Sequence, residues 1–225
     1  KIEQLRFQTR WNQTPRIPKT SVLGHSFFVA ILTLLLEKKS GQVFCASRRY
    51  NNFFTALFHD LPEAVTRDII SPVKQATDGL PSIVKHIEDV IVSRELEPLM
   101  DKCYKDELLY FINDEFADKI LIPKENTLLS SSLIENFSNA NSGQILKVSF
   151  DDLNKKYNIP ECSPTDGSLI RIADHIAAFI EADSSINHGI TSTHLRDGRE
   201  NLLRIYPKGK IISGIDVASF FVDFT

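Results

Sequence analysis

The chain has 225 residues, long enough for one sizeable core, with 42% hydrophobic and 24% charged residues, ordinary proportions for a globular protein. Its formal net charge of −3 argues against a protein held mainly by nucleic-acid phosphates, while a small anionic substrate stays open. No apolar run approaches the roughly 20 residues that span a bilayer, so no membrane partner is expected.

Lys1-Ile2-Glu3-Gln4-Leu5-Arg6 does not read as a signal peptide. Cys45, Cys103 and Cys162 are odd in number and lack thiolate-metal spacing. They read as free thiols of a reducing compartment, and a cytoplasmic location is expected. Any metal would then be held by His and carboxylates.

Residues 1–20 are polar and carry Pro15 and Pro18. Arg10 precedes the only tryptophan, Trp11. The indole is either a packing anchor for this arm or, with the guanidinium, one side of a ligand pocket. Ser21 is a suitable N-cap for a helix reaching about Lys39, with His25 near its first turn and Gly41 at its end. A lone histidine there reads first as a partly buried core residue.

A central helix is expected over about 50–61, apolar at 53, 54, 56, 57, 58 and 61. It ends in ionisable groups: His59, Asp60, then Glu63 and Asp68. Such groups on a buried helix are costly unless paired or bound to a cation. Pro62 disfavours helical geometry at Leu61 and suits the first turn of a new helix. A break there would let the side chains at 59 and 60 converge, which a straight helix holds about 100° apart.

Ser71-Pro72-Val73-Lys74 reads as a turn or helix start, and Asp78-Gly79-Leu80-Pro81 as a turn. Amphipathic helices are expected from Ser82 to about Met100 and from Asp101 to Lys119. Residues 121–165 are broken up by Pro123, a serine run and Pro160/Pro164. They read as an insertion or lid within one domain, with short helices near 127–137 and 149–157. A helix from Gly167 to about Ile186 is capped by Thr165 or Asp166, and buries Asp174 in its densest apolar part. His175 is a second candidate there, about 100° round the helix. After a helix over about 193–205, the tail 211–225 is apolar and partly β-prone. The fold class is all-α, a multi-helix bundle.

Three separate helices thus each carry one ionisable stretch in an apolar setting: His25, His59-Asp60 and Asp174. Two imidazoles and two carboxylates suit a divalent transition ion with open positions for water and substrate. Helices of a bundle can project such ligands inward.

With these residues the chain resembles the HD-domain metal-dependent phosphohydrolases, whose pattern is His, then His-Asp, then a distant Asp. It is most similar to their 5′-deoxynucleotidase branch. That branch has Arg-Trp fourteen residues before the first His, as Arg10-Trp11 stands to His25. It also has His-Asp-x-x-Glu, then Asp, then Ser/Thr-Pro-Val-Lys, matched by Glu63, Asp68 and Ser71 to Lys74. Arg67 stands where relatives often have Gly, Gly24 where they often have Glu, and the stretch between Asp60 and Asp174 is longer than in compact members.

The resemblance implies an HD-domain bundle over 1–225 with an irregular insertion before the last ligand helix. It implies one divalent transition metal per chain (Mn, Fe, Co, Ni or Zn) on His25, His59, Asp60 and Asp174. Glu63 would position or deprotonate the attacking water, and Asp68 would assist with the leaving group or the sugar hydroxyl. Arg10, Trp11, Ser71 and Lys74 would bind substrate, a (deoxy)nucleoside 5′-monophosphate. The apolar tail and the resemblance favour a homodimer. The rival readings are an HD phosphohydrolase acting on a triphosphate, a cyclic dinucleotide or an alarmone, and a non-catalytic metal- or nucleotide-binding module.

Overall fold

The protein is described from a computed structural model, which covers residues 2–12, 14–66, 80–123, 138–140 and 143–224. Helix α1 spans Val22–Lys39 and is capped as its sequence requires: the Ser21 hydroxyl accepts the Gly24 backbone N–H. Gly41 follows in the left-handed region (φ 68°) and ends it. The antiparallel α2, Ala46–Phe58, packs along α1, and both pack on α7, Gly167–Asn187. Their contact surface is the main core, with Val29, Ala30, Leu36, Ala56, Leu169, Ile172, Ile176 and Phe179 all buried.

At Phe58 the chain leaves the helix. The Leu61 N–H bonds the Phe58 carbonyl and the Glu63 N–H bonds the Asp60 carbonyl. A one-turn helix α3, Glu63–Thr66, then starts just after Pro62. Helix α4 covers Leu80–Ile91 and continues into a wider turn over Val92–Leu96, so the expected single helix to Met100 is interrupted. Helix α5 covers only Lys105–Ile112. The expected continuation to Lys119 is replaced by turns, with Asp114 at φ 47°.

The segment read as an irregular insertion contains a small antiparallel sheet. Its strands are β1, Lys119–Pro123, β2, Ser138–Ala140, and β3, Gly143–Lys147, with β3 in the middle. Ile120 pairs with Leu146. Under the sheet lies a separate apolar cluster of Ile120, Ile122, Leu146, Leu153, Tyr157 and Cys162. Helix α6, Phe150–Lys155, matches the expected short helix near 149–157, whereas the one expected near 127–137 falls outside the described residues. Lys119 is wholly buried and bridges β1 to the rest: its ammonium donates to the carbonyls of Tyr110 (2.6 Å) and Asn113.

Helix α8, Thr193–Ile205, packs on α7. The tail forms a two-residue hairpin, β4 (Ile211–Ile212) with β5 (Ile215–Asp216), and then short 3-10 turns. Ile215, Val217 and Phe221 are buried in the main core, so the tail packs back on the body of its own chain. The fold is mostly helical, as the sequence indicates, with these two small sheets added.

Candidate metal centre

Four helices and the break after α2 deliver side chains to one point. His25 projects from the first turns of α1 and is fully buried. His59 caps α2, Asp60 follows in the break, Glu63 opens α3 and Asp174 sits midway along α7. The break at 59–62 aims two adjacent side chains the same way: His59 Nε2 and Asp60 Oδ2 lie 3.2 Å apart. Asp174 Oδ1 lies 2.9 Å from His25 Nε2 and 3.9 Å from His59 Nε2, and Asp60 Oδ2 lies 4.0 Å from His25 Nε2.

The orientation of both rings follows from what their other nitrogen meets. His59 Nδ1 lies 2.7 Å from the Ala56 carbonyl, which can only accept, so Nδ1 carries the proton. His25 Nδ1 lies 3.2 Å from Glu181 Oε1 and donates to that carboxylate. Both Nε2 atoms therefore face inward. One ligand atom each from His25, His59 and Asp60 lies within 4.8 Å of the others, a spacing a metal ion can close.

Two observations test whether a cation fits. First, among the described residues His59 Nε2 and Asp60 Oδ2 are buried with no well-aligned hydrogen-bond partner, which leaves both free to act as metal ligands. Second, the site gathers the carboxylates of Asp60, Glu63, Asp174 and Glu181 around the guanidiniums of Arg10 and Arg16. Among the described residues, four negative charges less two positive leave two, which one divalent ion neutralises when both imidazoles are neutral. The donor set of imidazole and carboxylate suits a first-row transition ion.

The protonation pattern expresses the same excess. Burial works against the charged form of His59, but Asp60 and Asp174 outweigh it and raise the ring to about 9. His25 is raised as well: burial and Arg10 oppose its charge, and Glu181 and Asp174 overcome both. Burial disfavours the Asp60 and Asp174 carboxylates, yet His59 with Arg10, and His25 respectively, hold them well below the usual range.

Arg10 reaches the site from the N-terminal arm. Its guanidinium lies 3.5 Å from Asp60, 3.9 Å from Glu63 and 3.9 Å from Asp174. Trp11 goes elsewhere: its backbone is left-handed (φ 56°), and its indole is buried with Ala182 and Leu195 between α7 and α8. Of the two readings of Trp11, this geometry is that of the packing anchor. The Phe116 ring lies 5.9 Å from His59 and covers one side of the site. His175 turns away, its Nδ1 2.6 Å from the Tyr206 hydroxyl, and so takes no part. Asp68, Ser71 and Lys74 lie outside the described residues.

Glu181, Arg16 and Phe116 were not among the residues read from the sequence. Glu181 was findable: it stands seven residues after Asp174, two turns on and on the same face of an apolar helix. Arg16 and Phe116 carry no such signal, since both come from irregular segments.

An HD domain family model matches residues 2–203. A curated 5′-deoxynucleotidase from Shewanella oneidensis is 27% identical over 134 residues, which is 56% of this chain and 67% of that protein. The crystal structure of an HD-domain phosphohydrolase from Listeria innocua superposes with a TM-score of 0.64, at 15% identity, over 99% of this chain and 82% of that one.

Proposed function

We propose, for a chain that belongs to the HD domain family, metal-dependent hydrolysis of a phosphoester, with (deoxy)nucleoside 5′-monophosphates as substrates. The observation that carries the reading is the convergence of His25, His59, Asp60 and Asp174 from three helices, with the Arg10 guanidinium and the Glu63 carboxylate beside them. The likeness to a 5′-deoxynucleotidase supports the choice of substrate.

His25, His59, Asp60 and Asp174 would hold one divalent transition ion. Such an ion, when bound, polarises a phosphoryl oxygen and acidifies a water. Arg10 presents two N–H groups in a planar fork and grips the phosphate, releasing the carboxylates it now faces. Glu63 orients the attacking water and takes its proton. Asp68 assists the departing oxygen, and Ser71 and Lys74 bind the substrate. Trp11 acts through the backbone turn that sends Arg10 inward. A homodimer of single-domain protomers is part of the same reading.

The test is phosphate release from ribo- and deoxyribonucleoside mono- and triphosphates by chelator-stripped protein, with Mn, Fe, Co, Ni or Zn returned singly. Metal-dependent release from deoxynucleoside monophosphates is expected. Release from triphosphates alone would keep the chemistry and overturn the substrate. Stoichiometric metal binding without any release would overturn the enzyme.

A further inference from the structure

Behind His25 lies a second layer of charge. Glu181 Oε1 accepts from His25 Nδ1 at 3.2 Å, and Glu181 Oε2 accepts from Arg16 at 3.1 Å. Arg16 also donates to the Thr20 hydroxyl at 2.9 Å. All of this is out of water: His25, Arg16 and Glu181 are 0%, 5% and 7% exposed. The burial of Glu181 is opposed by His25 first and then by two arginines, which hold its carboxyl below the usual range.

A buried carboxylate with one oxygen on an imidazole and the other on a guanidinium is held in a single orientation. It fixes the ring in turn. With Nδ1–H committed to Glu181, Nε2 is the nitrogen left to face the centre, and an ion bound there would replace the proton that Nε2 shares with Asp174 Oδ1, 2.9 Å away. Glu181→Ala would leave Nδ1–H buried without its acceptor and the ring held from the Nε2 side alone. Arg16 ties this arrangement to the arm that carries Arg10, an arm further anchored where the Ser185 hydroxyl donates to the Ile17 carbonyl (3.2 Å).

We infer that Glu181, clamped by Arg16, is a positioning residue of the metal centre: it sets the tautomer and direction of His25 and thereby the affinity of the site for a divalent transition ion. The inference rests on the metal-centre reading above and concerns binding, not turnover. Partners of this kind, in contact with a metal-ligating histidine, typically contribute about 10–100-fold in metal affinity.

The experiment is titration of chelator-stripped full-length protein with Co2+, following the visible ligand-field bands, alongside thermal melting of the metal-free protein. Glu181→Ala should bind Co2+ about 10–100-fold more weakly, with shifted bands. Glu181→Gln keeps the shape and an acceptor but loses the charge, and should fall between wild type and Ala. Arg16→Met should also weaken binding, by less than Glu181→Ala. A purely structural role would lower the melting temperature and leave the Co2+ dissociation constant and band positions of folded protein unchanged, and that result overturns the inference. If Glu181→Ala does not fold, Glu181→Gln and Arg16→Met decide the matter, since wild-type Co2+ affinity in both overturns it. Absence of Co2+ bands in the wild type would instead overturn the metal centre itself, and so is distinguishable from failure in the variants alone.

Discussion

Glu63 and Arg10 meet in one corner of the site, 3.9 Å apart, and their roles separate cleanly under mutation. Glu63→Gln keeps the shape of the side chain but cannot take a proton. Its turnover should fall by about 10²–10⁴-fold, while metal content, measured by atomic emission, stays at the wild-type stoichiometry. Loss of metal together with activity would make Glu63 a ligand instead. At this scale the sequence was informative where residues are constrained by spacing. His25, His59, Asp60 and Asp174 are brought together as the resemblance implies. Glu181 belongs to the same helical face as Asp174 but carries no motif, so only periodicity marks it. Between the two readings of Trp11 the sequence could not choose, because the destination of the indole depends on the left-handed turn at its own backbone.

Two elements meet at the start of α7, and the fit there is tight. A Cβ on Gly167 would lie 2.3 Å from the backbone of Phe116 and Ala117, which cannot move aside as a side chain tip can. Gly167→Ala should destabilise by about 1–3 kcal/mol or more, measured by urea unfolding, and should disturb the Phe116 ring packed on His59. The same junction holds Lys119. Burial pushes its ammonium from an ordinary value of 10.5 down to about 7. Between those values the unfolded chain binds a proton that the folded chain lacks, so this residue makes stability rise with pH across the window. Urea unfolding at pH 7, 8.5 and 10 should show wild type gaining on Lys119→Met as pH rises; a constant gap would contradict the shift. These elements were partly legible. Ser21 announced α1, and the apolar stripe that holds Asp174 announced α7. Strand β1 is not announced, because nothing local tells the apolar run Ile120 to Ile122 from loop without its partner β3.

For the whole molecule, the main core is closed by its last residues. Phe221 lies 4.3 Å from the Phe179 ring at the centre of α7, with Tyr206 on its other side. Phe221→Ala should cost about 3–5 kcal/mol and lower the melting temperature by roughly 10 °C for a chain of this size. The tail was recognisable as apolar, but its address in the core depends on packing across distant segments. The same long-range character applies to the site. His25 and His59 belong to an antiparallel helix pair close in sequence, whereas Asp174 arrives with α7, more than a hundred residues later. A cation shared between the two halves would act as a clasp on the finished fold. It should slow unfolding and leave the rate of folding nearly unchanged if the cage is completed only after the transition state. Stopped-flow measurements with and without Co2+ should show the change confined to the unfolding limb. The metal would then set not only the chemistry of this protein but its lifetime against proteolysis.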